Sequence, residues 1–272
     1  MQRTKISYLT HTWSPIAMKC TPVSEGCVNC WSIALNKRFK NKPDKPELKE
    51  KELEAPLKLR KPARIGVQFM GDLWHNDVPN DYIFKIFDII RMCPQHIFIV
   101  LTKRIERLAK AFSNPLPPNP NKIFSAICGF DEIPWPLPNL YLGVTCENQK
   151  TADERIPILL QIPAAVRFLS LEPLLEDIDL KLDYGIKTDC YGEREPKYID
   201  WVIVGCESGP KRRPCKLEWV RNIVAQCQSA GVAVFVKQLD INGRVKHDIN
   251  KFPEDLRIQE YVKWILKKQK KY

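Results

Sequence analysis

Six short apolar runs rich in Val, Ile and Phe set the first limit on the fold. They are IGVQFMGDLW (65–74), HIFIVLT (96–102), NLYLGVTC (139–146), VRFLSLEP (166–173), WVIVGCES (201–208) and VAVFVKQ (232–238). Continuous apolar runs of this kind, rather than alternating ones, are what strands buried on both faces require. Helical patterns follow several of them, over Tyr82–Met92, Arg104–Phe112, Thr151–Leu160 and Leu217–Ala230. Thr151 and Glu154 have the spacing of a capping box. Leu217, Val220, Val224 and Cys227 recur on one helical face before Gly231 stops it. With a seventh strand before Cys20, the rhythm predicts an α/β fold, a partial or full (β/α) barrel of about six to seven parallel strands. An open doubly wound sheet is the alternative.

The 272 residues, 44% of them hydrophobic, are read as one domain over 1–272. Four segments interrupt it: a basic, exposed insertion at about 37–64, a Pro-rich loop at about 113–138, a polar loop at about 183–199 and a basic tail at about 263–272. No apolar run is long enough to span a bilayer and the N-terminus lacks a signal-peptide core, which predicts a soluble, cytoplasmic protein without a membrane partner.

In a barrel, chemistry collects at the carboxyl ends of the strands. Polar residues stand there: Asp72 and His75, Thr102 and Lys103, Glu147 and Asn148, Glu172, Glu207 and Ser208, Lys237 and Gln238. Any one of these could be a loop starting in water, but six strands ending alike argue for a site.

The other concentration of chemistry is CTPVSEGCVNCW, residues 20–31. In a reducing compartment, Cys20, Cys27 and Cys30 read as a metal, cluster or redox site rather than a disulfide framework. A structural zinc site wants a fourth ligand, recruited from His11, His75 or a distant cysteine. A dithiol pair has no need of Cys20. A 4Fe-4S cluster on three thiolates has a use for the vacancy, because its remaining iron stays open to a substrate or cofactor. The seven other cysteines are scattered singly, as small buried hydrophobes are.

Charge points to a polyanion. Lys and Arg exceed Asp and Glu by 43 − 32 = 11, and residues 37–64 hold eleven basic and five acidic side chains. Such a field favours nucleic acid, although a merely solvated surface has the same composition.

The segments TWSP…CTPVSEGCVNCW, FMGDLWHNDVP, IVLTKRIERL, GVTCENQKTADERIPILLQIPAAVRFLSLEPLL and DWVIVGCESGPKRRP, in this order through residues 8–240, resemble a phage-associated three-cysteine family. That family has no assigned activity and is regarded as an offshoot of the radical S-adenosylmethionine superfamily. GDLW and Leu101-Thr102-Lys103 are also distantly similar to spore photoproduct lyase.

The resemblance implies a radical S-adenosylmethionine type of barrel, with a cluster on Cys20, Cys27 and Cys30 binding S-adenosylmethionine. A 5'-deoxyadenosyl radical, formed with an electron from a separate reductant, would then modify or repair a nucleic-acid base. A further protein could supply specificity. Asp72, Glu172, Glu207 and Trp31, the last by stacking on adenine, are the candidates to hold the cofactor. Lys103 is a candidate for catalysis. Cys206, where that family usually has a second glycine, is the candidate hydrogen-atom donor. The six-residue gap between Cys20 and Cys27 departs from the superfamily's usual three. The competing class is a non-enzymatic nucleic-acid-binding accessory protein whose thiolates staple the chain through zinc or a cluster.

Overall fold

The computed structural model describes residues 1–39, 42–113, 136–182 and 198–262. The Pro-rich loop, the polar loop and the basic tail predicted above fall largely or wholly outside these residues, as do Cys128 and Cys190. The chain divides into two compact units, Met1–Gly143 with Ile162–Ala165, and Val144–Gln161 with Val166–Tyr272.

The fold is mixed α/β, with a large and mostly parallel sheet whose strand order is β1-β2-β5-β6-β7-β8-β9-β10-β11. The strands are β1 (Gln2–Arg3), β2 (His11–Trp13), β5 (Arg64–Val67), β6 (Ile97–Thr102), β7 (Leu140–Thr145), β8 (Val166–Leu171), β9 (Trp201–Gly205), β10 (Ala233–Ile241) and β11 (Arg244–Lys246). Each of the six predicted runs contains a strand, and β2 is the seventh that was expected ahead of Cys20.

In the first unit β2, β5 and β6 run parallel, His11 opposite Ile65 and Arg64 opposite Ile97. Trp13 and Phe98 are fully buried and meet edge to face at 5.8 Å. Helix α3 (Asn80–Met92), which α2 (Glu50–Leu53) precedes and α4 (Ile105–Ser113) follows in the chain, buries Ile83, Ile86, Phe87, Ile89 and Ile90 along an apolar stripe. The insertion predicted at 37–64 is not simply an exposed basic arm. Its β4 (Glu47–Leu48) pairs with β3 (Ile16–Ala17), the indole of Trp13 donates to Glu52 O at 2.7 Å, and Leu53, Pro56 and Ala63 are buried. Apolar residues spaced between the lysines outweigh net charge locally.

In the second unit β8, β9 and β10 run parallel around Phe168, Trp201 and Phe235. Helix α5 (Gln149–Gln161) starts two residues before the predicted capping box. Its cap is Asn148, whose Oδ1 accepts from Thr151 N at 3.0 Å, while Thr151 Oγ1 accepts from Glu147 N at 2.9 Å. Helix α6 (Leu217–Ala230) ends as expected. Gly231 sits in the left-handed region at φ 67°, and Val232 N donates back to Cys227 O at 2.8 Å.

Candidate functional site

The first unit carries the thiols on the loop between β3 and helix α1 (Trp31–Phe39). Cys27 closes a turn of 3-10 helix (Glu25–Cys27), its N–H bonded to Ser24 O at 3.0 Å, and Cys30 N follows onto Cys27 O at 3.2 Å. Cys27 is buried and Cys20 and Cys30 are half-buried, all as free thiols. Trp31 is 46% exposed, so it is not a core tryptophan.

The strand ends hold this loop. β5 stops at Val67 because Gln68 turns the backbone into the left-handed region at φ 58°, cutting short the strand predicted over 65–74. The buried amide of Gln68 then pairs with the backbone of Ile16, Oε1 accepting from its N–H at 3.2 Å and Nε2 donating to its carbonyl at 2.8 Å. Two residues further, Met70 O accepts from Ser32 Oγ at 2.8 Å and from Lys42 Nζ at 2.5 Å.

Asp72 is buried beneath the loop. Its Oδ1 accepts from Trp74 N at 2.9 Å and Thr102 Oγ1 at 2.8 Å, and its Oδ2 from Lys103 N at 3.2 Å and Arg104 Nη1 at 3.0 Å. Arg104, also buried, donates through Nη2 to both Thr21 O and Thr21 Oγ1 at 2.8 Å, and its Nη1 lies 3.9 Å from Cys20 Sγ. Thr21 Oγ1 is also 2.8 Å from His75 Nε2. Since Asp77 N donates to His75 Nδ1 at 3.3 Å, the proton of the neutral imidazole is on Nε2. Burial, seconded by the charge of Arg104, lowers the His75 pKa and keeps the ring neutral.

Burial pushes the Cys20 thiol up, the Arg104 guanidinium pulls it back, and Asp72 and Cys27 add to the rise. Burial lowers Lys42, whose ammonium feels both Cys20 and Cys30. The three thiols and two cations therefore share one neighbourhood. Among the described residues no three His, Cys, Asp or Glu side chains form a preassembled ligating group. The donor set still fits a thiolate-ligated metal or cluster: three free thiols on a short loop, with Arg104 and Lys42 to offset their charge. His75, a possible fourth zinc ligand from the sequence, has both ring nitrogens engaged.

The second unit gathers polar residues at the carboxyl ends of β8, β9 and β10. Glu172 Oε1 meets Lys237 Nζ at 2.8 Å. Glu207 is clasped by Arg213, which donates through its backbone N at 2.8 Å, Nε at 3.1 Å and Nη2 at 2.5 Å. The backbone of Cys206 is bonded on both sides to Gln238, its carbonyl accepting from Nε2 at 2.6 Å and its N–H donating to the carbonyl at 3.2 Å. The Cys206 thiol is buried and pushed up to about 12, by burial first and then by the charges of Cys215, Asp240 and Glu172. Glu147, at the end of β7, forms a buried ion pair with Arg155 of α5 at 2.9 Å.

Asp72, Thr102 and Lys103 thus converge with the thiol loop in one unit, and Glu172, Cys206, Glu207, Lys237 and Gln238 collect in the other. Sequence reasoning missed Arg104, Thr21 and Arg213. Arg104 had a signal, a second cation directly after the LTK strand end. Thr21 and Arg213 had none beyond their neighbours, since only the fold brings them to their partners.

No curated protein and no solved structure matches the chain. A family model described as protein of unknown function (DUF5131) matches residues 3–263. With nearly its whole length matched, the chain belongs to the DUF5131 family.

Proposed function

We propose that the protein is an iron-sulfur enzyme of the radical S-adenosylmethionine type acting on nucleic acid, with Cys20, Cys27 and Cys30 as the cluster ligands. The observation that carries this reading is the shared neighbourhood of three free thiols with Arg104 and Lys42, at the strand ends where Asp72 and Thr102 also stand. The engagement of both nitrogens of His75 removes one route to a closed four-ligand zinc site and so favours a set of three.

Cys20, Cys27 and Cys30 would hold such a cluster, which when bound would supply one-electron reduction of the sulfonium of S-adenosylmethionine. The chain's share is local. The loop presents the thiolates, Arg104 and Lys42 balance their charge, and Trp31 offers an exposed aromatic face beside Cys30 for adenine or a base. In the second unit, Cys206 keeps its S–H at neutral pH, the form a hydrogen-atom donor requires. Glu172 and Glu207 are polar anchors for cofactor or substrate there. Lys103 stays a candidate for catalysis in the first unit, where its backbone N–H is bonded to Asp72.

The net charge of +11 and the exposed Lys37 and Arg38 on α1 support a polyanionic substrate. A one-electron reductant is required as partner, and a separate specificity protein is compatible with the reading. No helix among the described residues is long and apolar enough to cross a membrane.

Iron and acid-labile sulfide analysis of anaerobically purified protein tests the reading. About four irons and four sulfides per chain, with absorption at about 400 nm, are expected. Stoichiometric zinc without sulfide would overturn it in favour of a structural site in a binding protein.

A further inference from the structure

We infer that Arg104 positions the thiol loop and supplies the fixed positive charge facing the Cys20 sulfur, and that Asp72 is the positioning residue that holds Arg104 to this task. The charge-balancing half of the inference rests on the reading of Cys20, Cys27 and Cys30 as cluster ligands; the positioning half does not.

Asp72 has nothing left to offer a ligand. A carboxylate has about four acceptor sites, and four donors fill them: Trp74 N and Thr102 Oγ1 on one oxygen, Lys103 N and Arg104 Nη1 on the other. Three of the four come from the start of a turn and the end of β6, so the carboxylate is fixed before Arg104 reaches it. A buried carboxylate also needs a buried cation, and at 3.0 Å Arg104 is that cation.

Arg104 in turn reaches the loop from one rigid plane. Nη1 bonds Asp72 and lies 3.9 Å from Cys20 Sγ, while Nη2 bonds both oxygens of Thr21. A guanidinium can serve these directions together because its donors are set in a planar fork, and an ammonium on the same stem cannot. The residue next to Cys20 is therefore pinned, and the fixed charge is placed beside the sulfur. Adding an electron to a thiolate-ligated cluster increases its negative charge, so a nearby guanidinium favours the reduced form.

The test uses the full-length chain with Arg104→Gln, Arg104→Lys and Asp72→Asn, in two arms. In the metal-free protein, hydrogen exchange of the amides of residues 19–32 should quicken about tenfold in all three variants while β6 keeps its protection. Unchanged protection of the loop overturns the inference. Should Arg104→Gln lose protection in β6 as well, it has unfolded, and Arg104→Lys decides this arm.

In the iron-loaded protein, the midpoint potential of Arg104→Gln should fall, corresponding to an about threefold to tenfold smaller reduction equilibrium constant, and Arg104→Lys should recover most of the loss. An unchanged potential, or equal shifts in the Gln and Lys variants, overturns the charge-balancing role. If loop exchange quickens as expected but the wild-type protein takes up no iron, the ligand reading fails while the positioning role of Arg104 and Asp72 stands.

Discussion

Glu172 Oε1 lies 2.8 Å from Lys237 Nζ, and a Cβ on Gly205 would come within 2.9 Å of the same oxygen. The glycine at the end of β9 is thus a clearance for the Glu172 carboxylate. Gln238 Cγ, at 3.1 Å from the same point, cannot retreat freely because Gln238 Nε2 is bonded to Cys206 O. Gly205→Ala should displace Glu172 from Lys237 and cost about 1–2 kcal/mol, read as a lower midpoint in urea with unchanged slope. A midpoint equal to the wild type would show that Glu172 moves without cost.

Cys20→Ala, Cys27→Ala and Cys30→Ala should each lose most of the bound iron and all reductive cleavage of S-adenosylmethionine, while Cys93→Ala leaves iron content unchanged. Metal analysis and product chromatography check this. Retention of about four irons by all three variants would refute the ligand set.

Binding to a single-stranded oligonucleotide should weaken steeply with salt. With 4 to 6 phosphate contacts the log–log slope should be about −3 to −5, and Lys37→Gln with Arg38→Gln should flatten it by about 1 to 2. Fluorescence anisotropy across a salt series measures the slope, and no binding at low salt would remove nucleic acid as the substrate.

Asp200 is held above the usual carboxylate range, raised from 3.8 to about 6, chiefly by burial, while the Arg167 N–H that donates to its Oδ2 at 2.7 Å pulls the other way. The folded chain therefore binds the extra proton more tightly than the unfolded chain. Its contribution to stability is fully present below about pH 4 and is lost as pH rises through about 6. Asp200→Asn keeps an acceptor for Arg167 N and should stabilise the protein by about 1–2 kcal/mol at neutral pH, after allowance for solvent screening, and by nothing near pH 4. Chemical denaturation at the two pH values checks the difference.

Cys206 and Cys215 are buried thiols, each pushed up to about 12, chiefly by burial. In folded, metal-free protein at mildly alkaline pH, iodoacetamide should modify the half-buried Cys20 and Cys30 well before either of them. Peptide mass spectrometry gives the order. Early labelling of Cys206 would mean that the end of β9 opens far more readily than its double bonding to Gln238 implies.

The strands were legible in the sequence because runs such as HIFIVLT and WVIVG are apolar on both faces, a pattern that loops do not sustain. Where they stop was less legible. Gln68 ends β5 through a left-handed turn, a conformation that no propensity assigns to glutamine. The cap of α5 was displaced from Thr151 to Asn148 because Asn148 Oδ1 takes the Thr151 N–H, while the Thr151 hydroxyl turns back to the N–H groups of Glu147 and Asn148. At the site, the cysteines and Asp72 stood out by residue type and spacing, but that protein donors occupy the whole Asp72 carboxylate could not be seen there. The partnership of Arg104 with Thr21 could not, because it joins residues 83 apart in sequence.

Gln68, Met70 and Asp72 lie within five residues, and each holds a different part of the thiol loop. Gln68 pairs with Ile16 ahead of Cys20, Met70 O takes Ser32 just past Cys30, and Asp72 acts on Thr21 through Arg104. The loop thus has one mounting plate rather than three independent supports. Its failure should be all-or-none: once residues 68–72 detach, the three sulfurs are released in a single step, and any metal they hold should dissociate in one kinetic phase.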